Sequence, residues 1–199
     1  MVTKDPKNRI RQGAVREMAL NAEKNASAIR IAANLLPHER ICAVDLASTL
    51  GLNVMVVHEL LAGQDGTLVD ELSALDAKTW SAMAIPSTAV IVVNPNQTEE
   101  RKQSSIMEEV AHLFLGQNPT LITSGRGPGV SRSFDASDER LAFWTGAAVL
   151  LPAEQLSLLV WRRKTIPDIA ASFGVSVELV EFRLKILGLW TRVNRDASQ

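Results

Sequence analysis

Apolar residues recur at helical spacing between about Ala14 and Leu36, in a stretch rich in alanine and straight-chain side chains. Positions three and four apart lie on one face of a helix, so the pattern predicts one long helix. Pro37 cannot continue a helix and is expected to end it. Residues 1–13 are polar, and we expect them to fray.

A second helix is predicted from Val44 to Leu50 by the same spacing. Gly51 is typical of the residue that follows a helix, because glycine readily adopts the left-handed conformation found there. The stretch Val54–Val57 is a short apolar run, which is a pattern found in buried strands.

The run Ala89–Asn94 is the best candidate strand, since it is short, rich in β-branched residues and closed by Pro95. Residues 80–85 suit its hairpin partner. The hydrophobic period then changes from 2 to 3.6 residues near Gln97. We therefore predict an α+β fold, in which a small antiparallel or mixed sheet packs on helices at 98–116 and 138–150.

The first of these helices is predicted to begin at Thr98, with two glutamates favoured in its first turn. Residues 117–134 lack periodicity and predict a loop, either a lid over a site or an ordinary loose segment. Beyond 138–149, two short helices are predicted at 165–173 and 176–187, with Ser176 as a cap.

Composition limits the classes of function. The chain has 199 residues and a net charge of −1, so it carries no general attraction for nucleic acid or anionic membranes. It has one cysteine, Cys42, which excludes an internal disulfide and which we expect to be a small core residue. With no apolar leader and no run long enough to span a bilayer, the sequence favours a cytoplasmic protein.

The most informative segment is 104–116, which reads SSIMEEVAHLFLG. Glu108 and His112 are four residues apart and share one helix face, so a carboxylate and an imidazole can converge on one ion. Glu109 stands where a carboxylate could accept a proton from water. A solvated helix face is the ordinary alternative for such a pattern.

Other short segments stand around this motif in a fixed order. They are Val93-Asn94-Pro95, Arg101, Glu109–Gly116, Glu139-x-x-Ala142, Gly146–Pro152, Ile169–Ser176 and Arg183-Leu184. Their order and spacing resemble the ImmA/IrrE family of zinc-dependent metallopeptidases over roughly residues 40–190. The resemblance implies a zincin-like fold and cleavage of a repressor-type partner protein.

The resemblance also implies roles for single residues. The His-Glu-x-x-His pattern of the family places its general base on Glu109 and its second histidine on His112, while the first histidine is replaced by Glu108. The third ligand falls on Glu139 or at the position of Leu141. We take Glu108, His112 and Glu139 as the metal ligands and zinc as the ion. Another divalent metal, such as iron or manganese, and no metal at all are the alternatives.

If no metal binds, the neighbouring carboxylates would repel one another, and an arginine would be expected to pair with them. The candidates are Arg101, Arg126, Arg132 and Arg140.

Two other functions stay open. A non-catalytic pseudo-peptidase could bind or sense a partner, as the missing histidine suggests. Residues 165–187 also resemble a helix-turn-helix, with Arg183 and Lys185 as DNA contacts, although Glu178 and Glu181 oppose phosphate binding and make nucleic acid the weaker partner. No oligomeric state is predicted.

We expect three parts along the chain: an N-terminal helix (1–36), a zincin-like metallopeptidase domain (37–155) and a C-terminal helical module (156–199) that resembles a helix-turn-helix.

Overall fold

The order of helices and strands follows the predicted α+β pattern. The computed structural model describes residues 6–36, 38–56, 59, 80–117, 120–123, 130–133 and 135–196. Its elements are α1 (Pro6–Ala32), α2 (Ala43–Thr49), β1 (Asn53–Val56), β2 (Ala82–Ile85), β3 (Val90–Val93), α3 (Glu99–Phe114), β4 (Thr120–Thr123), β5 (Val130–Ser133), α4 (Ala136–Leu150), α5 (Ala153–Trp161), α6 (Ile166–Phe173), α7 (Val177–Ile186) and α8 (Trp190–Asp196). The described part of the chain is rich in helix and carries a small mixed sheet, as an α+β fold requires.

Strand β3 is the centre of the three-stranded sheet. It pairs in parallel with β1 on one side and antiparallel with β2 on the other, so that Ile91 lies opposite both Val54 and Ala84. All four residues of β3 are buried, which explains its continuous apolar sequence. The predicted hairpin of β2 and β3 is confirmed, and the short apolar run after Gly51 forms the third strand.

Helices α3 and α4 pack against each other beside this sheet, and α3 also contacts β2 and β3. Thr98 caps α3 by accepting a hydrogen bond from the backbone of Arg101. Helix α4 begins two residues before its predicted start because the Asp135 side chain accepts the Ser137 amide at 2.7 Å.

The extent predicted for the first helix is wrong at both ends. Helix α1 begins at Pro6 and ends at Ala32, well before Pro37. The backbone turns at Asn34, whose φ of 55° is left-handed, a conformation that asparagine tolerates better than most residues. A residue other than proline therefore ends the helix, and the polar start of the chain is helical from Pro6.

The loop predicted for 117–134 is also corrected, because β4 and β5 pair there as an antiparallel hairpin. The residues joining them, including Gly125, Gly127 and Gly129, lie outside the described ranges. Helices α5 and α8 were not predicted either. Cys42 is exposed at the start of α2, so its expected place in the core is wrong.

Two buried arginines hold the C-terminal end of α4. Arg30 of α1 donates from Nη1 to the carbonyl of Val149 at 2.8 Å. Arg183 of α7 donates from Nε and Nη2 to the carbonyl of Leu151 at 3.1 and 2.9 Å, and its Nη2 lies 2.6 Å from Glu23 Oε1 of α1. Cations favour the end of a helix where carbonyl groups are left unpaired, so α1 and α7 both stabilise α4.

Within the described ranges, no single helix is long and apolar enough to cross a membrane. Only α4 and α5 taken together meet the length and hydropathy criteria, and a bend of 54° separates the two.

Candidate functional site

Three side chains converge where α3 meets the first turns of α4. Glu108, His112 and Glu139 each offer one ligand atom, and these atoms all lie within 4.8 Å of one another. His112 is buried, Glu108 is half-buried and Glu139 is exposed. The structure therefore brings together the three residues that the sequence predicted as ligands. Leu141, the alternative third position, carries a side chain with no donor atom for a metal.

The convergence depends on how closely α3 and α4 approach. A Cβ added to Gly146 would lie 2.8 Å from the backbone carbonyl carbon and oxygen of Met107 and 3.0 Å from the Glu108 amide nitrogen. Real Cβ atoms do not come so close, so glycine is needed for the two backbones to touch. Glu139 precedes Gly146 by two helical turns and lies on the same face of α4, which turns it toward Glu108.

His112 is oriented by a residue that the sequence analysis did not single out. Its Nδ1 lies 2.8 Å from the amide oxygen of Gln117, three residues after the end of α3. Because an amide oxygen can only accept, Nδ1 is the donor in this contact, and the neutral tautomer that donates from Nδ1 keeps the lone pair on Nε2. A histidine whose second nitrogen donates in this way is typical of metal sites. No sequence signal beyond a polar residue near the helix end identified Gln117.

Negative charge is disfavoured at Glu108. Burial, the Glu139 carboxylate and the Glu109 carboxylate, in that order, raise the pKa of Glu108 from 4.5 to about 7, and Arg101 opposes them. Burial and then Asp138 also raise the pKa of Glu139. A bound cation would remove this penalty by neutralising the carboxylates.

Of the four arginines proposed as partners of these carboxylates, the structure describes the side chains of Arg101 and Arg140, and the charge of Arg101 acts on Glu108. Arg140 is exposed. Arg126 and the side chain of Arg132 lie outside what the structure describes.

Glu109, the proposed proton acceptor, is tied to the sheet. Its Oε2 accepts a hydrogen bond of 2.7 Å from the backbone amide of Ala84 in β2. This contact joins α3 to the side of β2 that faces away from β3. It was not predicted, because a backbone amide leaves no trace in the amino-acid pattern.

The donor set fits a divalent cation. Ligand atoms around tetrahedral zinc are about 3.3 Å apart, given metal–ligand distances of about 2.0 Å. In the structure the ligand atoms all lie within 4.8 Å of one another. Small movements of the long glutamate side chains would bring these atoms to the separation that zinc requires. Two carboxylates and one imidazole are ligands that zinc accepts, and the set also suits iron or manganese.

A helix that presents two carboxylates and an oriented imidazole beside a small sheet is the arrangement of a metallopeptidase-like protein. The profile of the family Peptidase_M78, described as IrrE N-terminal-like domain, matches residues 51–185, from two residues before β1 to the next-to-last residue of α7. The match covers more than half of the chain, so the chain belongs to this family. No match was found among curated proteins.

Proposed function

We propose that the chain is a zinc-dependent metallo-endopeptidase of zincin-like fold that cleaves a repressor-type partner protein. The observation that carries this proposal is the cluster of Glu108, His112 and Glu139, with ligand atoms within 4.8 Å, beside Glu109 on the same helix. Membership in a metallopeptidase family supports it.

Each residue has a part in the proposed reaction. Glu108, His112 and Glu139 would hold zinc, which supplies Lewis acidity that polarises a peptide carbonyl and acidifies water. Glu109 accepts a proton from the attacking water and returns it to the leaving amine. Gln117 keeps His112 in the tautomer that ligation needs.

Glu108 replaces the first histidine of the usual His-Glu-x-x-His pattern, and we propose that it serves as a ligand. A carboxylate adds negative charge, which weakens the Lewis acidity of zinc relative to an imidazole ligand. We therefore expect the natural site, with Glu108 as a ligand, to hydrolyse peptides more slowly than a site with two histidines, or to work with iron or manganese.

The second candidate is a pseudo-peptidase that grips a partner without cutting it. The replacement of the first histidine by Glu108 favours this candidate, because the active helix then offers one imidazole ligand instead of two. The two candidates differ in an outcome that can be measured. The peptidase binds a metal and cleaves peptides, whereas the pseudo-peptidase does not cleave them.

DNA binding through 165–187 is not proposed. Arg183 was a predicted DNA contact, yet its side chain is 1% exposed, donates to the Leu151 carbonyl and pairs with Glu23. The partner proposed here is a protein.

Cleavage can be tested without knowing the substrate. The purified chain, loaded with zinc, is incubated with a library of peptides from digested bacterial proteins, and new peptide termini are identified by mass spectrometry. We expect new termini that share a sequence preference and that disappear with Glu109→Gln, which keeps the shape of the side chain but cannot accept the proton.

The matched control is Glu99→Gln, an exposed carboxylate on the first turn of the same helix, which should cleave like the wild type. Absence of new termini with zinc, iron and manganese in turn would contradict the enzyme and favour the pseudo-peptidase.

A further inference from the structure

The outer side of β2 is where the sheet ends in the described part of the chain. The carbonyl of Ser81 accepts the amide of Asn94, so residues 81, 83 and 85 point their polar backbone groups at β3. By alternation, the amides of Ala82 and Ala84 point outward. An edge that presents such groups is a ready template for another extended chain.

At Ala84 this template is closed by a side chain. Glu109 reaches from α3 and accepts the outward amide at 2.7 Å, a charge-assisted hydrogen bond. Ala84 is 3% exposed, so the amide is covered as well as paired. An extended peptide that adds to β2 needs this same amide.

We propose that Glu109 latches the outer edge of β2, so that an extended peptide pairs with β2 only by displacing the carboxylate from Ala84. The exchange conserves hydrogen bonds, because a peptide carbonyl replaces the carboxylate oxygen as acceptor. Its consequence rests on the proposed function: the arrival of the substrate backbone releases the residue that accepts the proton from water.

The latch is tested by amide hydrogen exchange, measured by NMR on the ¹⁵N-labelled full chain without added metal. Loss of a charge-assisted hydrogen bond in Glu109→Ala should speed exchange at Ala84 by roughly 10- to 100-fold. Glu109→Gln keeps an acceptor oxygen and should retain most of the protection. Glu99→Gln, a change at an exposed carboxylate on the first turn of the same helix, should leave exchange at Ala84 as in the wild type.

Competition is tested with a defined probe, the acetylated and amidated peptide Lys-Val-Thr-Val-Thr-Val-Lys. Its affinity for Glu109→Ala should be about tenfold higher than for the wild type, and its binding should restore protection at Ala84.

Unchanged exchange at Ala84 in Glu109→Ala would overturn the latch, as would equal peptide affinity for the two proteins or binding to neither. These results do not depend on zinc. A latch that fails leaves the metal site standing, and a site that binds no zinc leaves the latch standing.

Discussion

Glu108 is the residue on which the chemistry depends, because the surroundings of its carboxylate disfavour negative charge. Its pKa rises from 4.5 to about 7, so the folded chain holds this proton more tightly than the unfolded chain does. The resulting stabilisation is fully present below pH 4.5 and is lost as the pH rises through 7. The loss amounts to about 3 kcal/mol, at about 1.4 kcal/mol for each pH unit.

Glu108→Gln should therefore stabilise the metal-free protein at alkaline pH. Glutamine resembles the protonated carboxyl and carries no charge, so the gain in free energy of unfolding should be near zero at pH 4.5 and approach about 3 kcal/mol at pH 8. Urea denaturation of both proteins with a chelator present measures this difference. Glu99→Gln, on the exposed surface, should change stability by less than about 0.5 kcal/mol at either pH. A gain in the free energy of unfolding that does not grow with pH would show that the folded protein does not disfavour the charged form of Glu108.

Glu108→His tests whether the ligand geometry survives. An imidazole four residues before His112 restores a pair of neutral ligands, so zinc affinity should rise at least about tenfold. Competition with a chromophoric chelator measures it. A variant that folds normally and gains no affinity would mean that Glu139 does not complete the site.

At this scale the sequence predicted what helical spacing determines. Glu108 and His112 share a face because they are four residues apart. The choice between Glu139 and Leu141 required the packing of α3 on α4, and the contacts of Gln117 and Ala84 required the tertiary structure.

At the scale of elements, the site depends on the contact between α3 and α4 at Gly146. Gly146→Ala would force the added methyl group into the Met107 carbonyl at 2.8 Å and move α4 away from α3. We expect a loss of about 1–3 kcal/mol in the free energy of unfolding and weaker zinc binding, since Glu139 moves with α4.

Gly13→Ala is the matched control, because a Cβ at this position in α1 meets nothing within 4 Å. It should leave stability unchanged or raise it by about 0.5–1 kcal/mol. Denaturation curves and zinc titrations of both variants decide the matter. Equal behaviour of the two would contradict the role given to Gly146.

Elements with a strong signal were predicted well. β3 has a continuous β-branched run, and α3 has both a capping residue and a helical period. The strands β4 and β5 were missed because two four-residue strands give too little alternation. The end of α1 was misplaced because Pro37 is the stronger signal in the sequence, whereas Asn34 makes the turn.

At the scale of the whole molecule, one hydrophobic cluster includes residues of α1, α3, α4, α6 and α7. Arg30 and Arg183 tie the first and the seventh helix to the end of α4, the helix that carries Glu139. The division of the chain at 36 and 155 stays a prediction.

Arg183→Met should destabilise the protein by about 3 kcal/mol. Methionine fills a similar space, but it leaves the Leu151 carbonyl and Glu23 without their buried partner. Chemical denaturation measures the loss, and Glu23→Gln added to Arg183→Met should recover part of it. Lys185→Met, at an exposed ion pair with Glu181, should cost less than about 0.5 kcal/mol. Similar losses for the two methionine variants would contradict the structural role of Arg183.

Zinc titration of the metal-free chain by calorimetry tests the central claim most directly. The account predicts about one equivalent of bound zinc for the wild type and much weaker binding for His112→Ala and Glu139→Gln, while Glu99→Gln binds normally. Less than about a tenth of an equivalent in the folded wild-type protein would contradict it.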